Sequence, residues 1–340
     1  MKSIPVKEAV GSILCHDITQ ILPGEFKGRK FKKGHIITEE DVPVLMSLGK
    51  DNIYVWEEDP NMMHENDAAI FLKDIAMGEG LDYSDIKEGK IGFNAAYDGL
   101  LKVDAGLLYK LNMLGEISFA TKHNNMPVKK GEYVAATRVI PLVISKDKME
   151  AAKTLLDGRK IVRVLPLKKA RIGIVTTGNE VFYNRIKDKF LPILIKKMEG
   201  YDCEVVGQTK VPDDNGQIEK AIKDWIDKDV DMVFCTGGMS VDPDDRTPSA
   251  IRNVGCEIIT YGTPVLPGAM FLMSYYGDKP VMGLPGCVMH AHTTVFDLVL
   301  PRILAGERIT MEDIAAFGHG GLCMQCETCI YPKCHFGKGN

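Results

Sequence analysis

From about residue 169 onward the chain alternates β-branched runs with helical runs, and no other feature narrows its fold as much. The strand-like segments read RIGIVTTG (171–178), CEVVGQTKVP (203–212) and DMVFCTGG (231–238). The helical ones between and after them read DKFLPILIKKME (188–199), GQIEKAIKDWIDK (216–228) and TPSAIRNVG (247–255). Val- and Ile-rich strands that take turns with helices need crossover connections, and crossovers place helices on the faces of a parallel sheet. Residues 169–310 are therefore expected to form an open, mainly parallel α/β domain with helices on both faces. In such sheets ligands bind outside the carboxyl ends of the strands, where loops meet helix N-termini.

The rest of the chain is organised differently. With 340 residues it exceeds one ordinary domain. Residues 1–60 predict a small α+β module, in which Thr38 N-caps a helix, the acids Glu39, Glu40 and Asp41 fill its first turn, and Gly49 ends it before the strand NIYVW. The polar, proline-bearing EEDPNMMHEND reads as a linker. Residues 61–168 alternate short β runs with turn residues around one helical stretch, AGLLYKLNML, which predicts a mostly β module. The hairpin tips His123-Asn124-Asn125 and Lys129-Lys130-Gly131 are read as solvated turns. Residues 311–340 form a cysteine-rich tail.

Composition narrows the function. A net charge of -4 leaves no basic footprint for nucleic acid or anionic lipid, so a small ligand is the expected partner. No run reaches the length of a membrane span and the N-terminus lacks a signal-peptide core, so neither nucleic acid nor membrane is expected and the cytoplasm is the default location. A homo-oligomer is left open. Of nine cysteines, Cys15, Cys203, Cys235, Cys256 and Cys287 are scattered through apolar segments, where a free thiol acts as a small hydrophobe.

Three loops follow strands and can meet at one sheet edge: VTTGNE (175–180), VPDD (211–214) and TGGMSVDPDDRT (236–247). Gly178, Gly237 and Gly238 lack a Cβ and let backbone amides approach a phosphate, while Ser240 adds a hydroxyl donor. Glu180, Asp213 and Asp245 supply hard oxygen ligands for Mg²⁺ or acceptors around an oxyanion's metal centre. The plainer reading makes these ordinary glycine turns, with Asp244 or Asp245 capping the helix that starts near Thr247.

TGGMSVDPDDRTPSAI (236–251) together with GLPGCVMHAHTTVFDLVLPRILAG (283–306) strongly resembles the molybdopterin-binding domain of molybdotransferases of the MoeA and gephyrin type. The DDRT-P portion is also similar to the molybdopterin adenylyltransferases and CinA-like proteins. The likeness covers roughly residues 170–306 and touches GHIITEEDVPVLMSLGKDNIYVW (34–56). The resemblance implies that free or adenylylated molybdopterin binds at Thr177, Gly178, Gly237, Gly238, Ser240, Pro285 and Gly286. It further implies that Glu180, Asp213 and Asp245 carry catalysis by binding Mg²⁺ or placing molybdate or tungstate near the dithiolene. The implied function is molybdenum or tungsten cofactor biosynthesis, by metal insertion; a non-catalytic carrier or sensor and an adenylyltransferase are the alternatives. A molybdo- or tungstoenzyme target is an implied partner beside the pterin and oxyanion.

The chain departs from the family pattern. A loop that offers two lysines in K-P-G-K-P reads VLPGAM here (265–270), and L-P-G-N-P reads LPGCV (284–288). The segment after the first site loop is shortened to VFYNRIKDKF (181–190). His290 and His292, just after the LPG turn, are read as helix-start residues.

The tail GLCMQCETCIYPKCHFGKGN places Cys323, Cys326, Cys329 and Cys334 as C-x2-C-x2-C-x4-C in a stretch too short to bury a core of its own. Four thiolates at this spacing suit Zn²⁺ or an iron–sulfur cluster. The spacing leaves both open.

Overall fold

The computed structural model describes residues 2–22, 26–55 and 59–339. The chain forms two compact units: Met1–Asn94 with Asp104–Thr121 and Tyr133–Val162, and Ala95–Val103 with Lys122–Glu132 and Arg163–Asn340.

The first unit begins with an antiparallel pair, Lys2–Pro5 against Asn52–Val55, and a hairpin, Ile18–Leu22 against Phe26–Phe31. Val6, Leu14, Ile18, Ile37, Leu45 and Ile53 share its small core. The helix here runs Asp41–Ser47 and starts later than the sequence suggests, because Thr38 is not its cap. Asp41 instead turns its carboxylate back onto the Thr38 amide and hydroxyl, each at 2.9 Å, and onto His35 at 2.6 Å. Gly49 does close the helix, with φ +74°. Trp56 of the expected strand and Glu57–Glu58 of the expected linker lie outside the described residues. The remainder of that linker is structured: Met62–His64 pairs with Val143–Ser145, and Glu65–Ala76 is a helix.

The unit also holds a four-stranded sheet, ordered Leu81–Tyr83, Lys90–Ala95, Tyr133–Val139 and Ile117–Thr121, in which Tyr133–Val139 runs antiparallel to both its neighbours. The turn-rich pattern suggested one helix in this stretch, but there are three: Glu65–Ala76, Ala105–Met113 and Lys146–Leu156. The two that were missed bury Ala68, Ala69, Leu72 and Ala76 in one and Met149, Ala152 and Leu156 in the other. Each stripe carries only one or two large apolar side chains, which gives a weak periodic signal.

The second unit holds a three-stranded sheet of Gly99–Val103, Met126–Val128 and Val162–Pro166 and a larger sheet of six strands: β1 (Arg171–Thr177), β2 (Glu204–Val211), β3 (Met232–Thr236), β4 (Glu257–Tyr261), β5 (Leu272–Tyr276) and β6 (Lys279–Leu284). They lie in the order β2-β1-β3-β6-β5-β4. The β2–β1, β1–β3 and β3–β6 pairs are parallel and the other two antiparallel, so the expected open, mainly parallel sheet is present. Alternate residues feed two cores. Ile172, Ile174, Met232, Phe234, Met282 and Leu284 face one; Val175, Val233, Cys235 and Val281 face the other. A strand buried on both faces is apolar at successive positions, which explains its unbroken Val/Ile runs.

Helices cover both faces. The first core takes α2 (Phe190–Glu199), α5 (Val295–Leu304) and α6 (Met311–Ala316); the second takes α3 (Asn215–Ile226) and α4 (Thr247–Asn253). A one-turn helix, α1 (Asn179–Phe182), follows β1 directly. Trp225 of α3 lies so close to the sheet that a Cβ on Gly173 would stand 2.5 Å from its ring. Gly173 is thus a packing glycine.

Candidate functional site

Strand order places the site. The chain leaves β1 toward β2 on one side and returns to β3 on the other, so the β1/β3 boundary is the topological switch point of the sheet. The loops at its carboxyl end are Gly178 onward and Gly237 onward.

These two loops interlock. Gly237 has φ +84° and Gly238 φ +55°, a left-handed pair that L side chains rarely adopt. A Cβ on Gly237 would stand 2.2 Å from the Thr177 carbonyl oxygen, so the β3 loop rests directly on the end of β1. Thr247, first residue of α4, ties the turn: its hydroxyl lies 3.0 Å from that of Thr177 and donates to the Gly237 carbonyl at 2.8 Å. Its amide donates to the Gly238 carbonyl at 3.2 Å. One step back, Thr176 and Thr236 face each other in register with their hydroxyls 3.0 Å apart.

The second loop is clasped to the first. The Asn179 amide donates to the Asp213 carboxylate at 2.9 Å and the Asp213 amide donates to the Asn179 side chain at 3.4 Å. Asp214 then caps α3 by accepting from the Gln217 amide at 2.9 Å. Sequence reasoning missed the Asn179 clasp, the paired threonines and Tyr261. That tyrosine's hydroxyl donates to the Met239 and Ser240 carbonyls, both at 3.0 Å, and so pins the glycine-serine loop from β4. Burial, and then the nearby Asp245 charge, push the Tyr261 hydroxyl up. A visible clue to the threonines was their repetition at the ends of β1 and β3.

The expected site residues divide into two groups. Thr177 and Gly178 are buried at the end of β1, while Gly237 and Gly238 are half-buried and Ser240 is exposed beside them. Pro285 and Gly286 stand at the end of β6, next to β3; Pro285 is buried, and Gly286 is exposed with open space where a Cβ would go. These positions all lie at the carboxyl edge of parallel strands. The acids behave differently. Glu180 is exposed on α1, Asp213 is engaged by Asn179, and the Asp245 amide donates to the Asp242 carbonyl at 2.9 Å in a turn. Neither Asp244 nor Asp245 caps α4, which has no side-chain cap.

Among the described residues no three His, Cys, Asp or Glu side chains are grouped so as to hold a metal ion. Glu180, Asp213 and Asp245 thus form no such group: they sit on three separate loops, and Asp213 is engaged by Asn179. Cys323, Cys326, Cys329 and Cys334 are likewise not drawn together into such a group.

The tail itself differs from expectation. It has no core of its own but borrows one: Phe317 and Phe336 are buried in the first core of the α/β unit, with Tyr331, Cys323 and Cys334 packed against it. The Leu266 amide donates to the Gly321 carbonyl and the Cys323 amide to the Leu266 carbonyl, both at 2.8 Å, so residues 321–323 run beside the VLPGAM loop. The four thiols line one cavity of about 590 Å³ whose opposite wall carries His290 and His292. These histidines precede the helix they were expected to start; Thr294 caps α5 in a capping box with Asp297. The scattered thiols Cys15, Cys203, Cys235 and Cys256 are buried, and Cys287 is half-buried. Burial pushes Cys256 up to about 11 and Cys235 higher still, which leaves both inert as nucleophiles.

A mainly parallel α/β sheet with glycine-built loops at its switch point defines a domain of the doubly wound class. Residues 173–305 match the family described as a probable molybdopterin binding domain, and residues 3–57 match a domain of unknown function. A putative molybdopterin biosynthesis protein of Methanocaldococcus jannaschii is 32% identical over 324 residues, covering 89% of this chain and 73% of that protein. Molybdopterin molybdenumtransferases of Synechococcus elongatus and Haemophilus influenzae are 24% and 27% identical over 48% and 44% of this chain. The chain spans 44% and 38% of those two proteins, less than half of each. Among solved structures, the molybdopterin biosynthesis enzyme MoaB of Thermus thermophilus is 23% identical with a TM-score of 0.34, covering 41% of this chain and 98% of that one. The chain belongs to the MoeA-like family of molybdopterin-binding proteins, a family of molybdenum cofactor biosynthesis. No helix among the described residues is long and apolar enough to cross a membrane.

Proposed function

We propose that this protein binds free or adenylylated molybdopterin at the β1/β3 loops and takes part in inserting molybdenum or tungsten into it. The observation that carries this reading is the left-handed Gly237-Gly238 turn, held onto the end of β1 by Thr247 and Thr177. Such a turn exposes backbone where side chains would obstruct a phosphate. Ser240, exposed beside it, supplies a hydroxyl donor, and Pro285 and Gly286 form the neighbouring wall. Glu180, Asp213 and Asp245 are assigned to the end of the site where the oxyanion meets the dithiolene. We also read the four tail thiols as metal ligands, for Zn²⁺ or an iron–sulfur cluster.

A Ser240→Asp variant sets a carboxylate against the ligand phosphate. Calorimetry with purified molybdopterin under argon should show at least about a tenfold loss of affinity, equivalent to about 1.4 kcal/mol. Equal affinities for variant and parent would refute the site.

The dispersed acids and the lysine-free VLPGAM loop favour a second reading, a carrier that holds the pterin without transferring metal. An Asp245→Asn variant separates the two. In a molybdotransferase-deficient strain, an enzyme loses complementation through this change while keeping pterin affinity. A carrier complements in neither form.

A further inference from the structure

We propose that the cavity between the tail and the β6–α5 loop is the seat of a [4Fe–4S] cluster ligated by Cys323, Cys326, Cys329 and Cys334. This deepens the reading of the tail thiols as metal ligands and is independent of pterin binding. The first argument is geometric. Bonds of about 2.3 Å to one tetrahedral Zn²⁺ bring four sulfurs within about 3.8 Å of each other. The thiols are not grouped in that way, yet all four line the same cavity of about 590 Å³. Thiols that share a cavity without converging on a point suit a guest of several atoms, in which irons and sulfides fill the space between the ligands.

The second argument is the setting of each sulfur. Cys323 is fixed by the hydrogen bond that its amide donates to the Leu266 carbonyl, and Cys334 lies two residues before the buried Phe336. Cys326 and Cys329 are exposed at the rim, free to close over a guest. Hydrogen-bonding groups already address sulfur: the Gln325 amide donates to Cys323 Sγ at 3.5 Å, and the Thr293 hydroxyl lies 3.5 Å from Cys329 Sγ, placed to donate once that thiol is a thiolate. Such bonds to sulfur, together with apolar walls, are the features that tune and shelter cluster sites. The cavity supplies those walls through Ile330 and Phe336. On ligation each of the four thiols loses its proton to solvent and bonds one iron through the resulting thiolate, with no change in iron oxidation state.

The test uses the full chain, purified anaerobically and then incubated with sulfide and equal amounts of ferrous and ferric iron, the proportion that the cluster holds. The expected result is about four irons and four sulfides per chain with a visible charge-transfer absorption. The double variant Cys326→Ser/Cys329→Ser alters only exposed side chains, so it should fold with an unchanged circular dichroism spectrum and lose at least about nine-tenths of the iron. A Ser240→Asp protein should keep its full iron, which separates this outcome from failure of the pterin site. One equivalent of zinc with no iron uptake overturns the cluster but keeps the metal reading of the tail. Uptake of neither metal overturns both.

Discussion

Replacing Gly237 by alanine tests the site where its geometry is tightest. The residue has φ +84°, and a left-handed alanine costs about 1–2 kcal/mol by itself. Its Cβ would lie 2.2 Å from the backbone oxygen of Thr177, an atom that no rotamer change can remove, so the loop must lift from β1. Lifting it weakens the Thr247 hydroxyl bond to the Gly237 carbonyl, worth about 1 kcal/mol. The total is about 2–3 kcal/mol, or roughly 4–12 °C in the melting of the α/β unit. Gly286→Ala is the matched control at the same sheet edge: it has open space for a Cβ and no left-handed φ, so its cost is within about 0.5 kcal/mol. Differential scanning calorimetry on both variants, with pterin titration of each, reads the two effects side by side. A Gly237→Ala protein that melts within about 2 °C of the parent and binds pterin equally would refute both the strain argument and the placement of the ligand.

Two further perturbations address the rest of the unit. Phe336 is 2% exposed, so Phe336→Ala should cost about 3–5 kcal/mol if the tail is part of the α/β core, and limited proteolysis should then cut between residues 318 and 339 far faster than in the parent. The carboxylates around buried Arg302 predict acid sensitivity. Burial pushes Asp313 and Glu307 up, but hydrogen bonds outweigh it, from Arg302 and the Thr310 amide to Asp313 and from Lys102 and Arg302 to Glu307; both carboxyls sit below their ordinary 3.8 and 4.5. Stability from these groups is therefore fully present above the ordinary values and is lost as pH falls through the lowered ones. Melting temperatures in a pH series should begin to drop below about pH 4.5, and Asp313→Asn should lower the plateau while flattening that drop.

How far the sequence reveals this molecule depends on which interactions are local. The alternation of Ile172, Ile174 and Phe234 with Val175, Val233 and Cys235 is written into consecutive residues, so the two-faced sheet could be read directly. Strand order could not: nothing local to Met232–Thr236 says that it pairs with Arg171–Thr177 rather than with the preceding strand, although this pairing creates the switch point. The glycine-serine loop was legible because a left-handed turn needs glycine. The Asn179–Asp213 clasp and the Tyr261 brace join residues 34 and about 21 positions apart, and no local pattern announces them. Thr38 was misread because a threonine followed by three acids looks like a cap, whereas Asp41 folds back to accept from it.

The segment from Pro285 to Thr294 gives the two proposed sites a common part. It leaves β6 beside the glycine-serine loop, carries the candidate pterin contacts Pro285 and Gly286, and reaches Thr293 at the cysteine cavity. Its ends are held, one by the buried end of the sheet and the other by the Thr294–Asp297 capping box. Between them the Ala291 and His290 amides both return to the Cys287 carbonyl, at 2.8 and 3.1 Å, so the segment is a wound turn rather than a slack strand. The loop that bears the candidate pterin contacts at one end therefore lines the cysteine cavity with His290, Ala291, His292 and Thr293 at the other, so the two candidate sites are neighbours along one short stretch of chain.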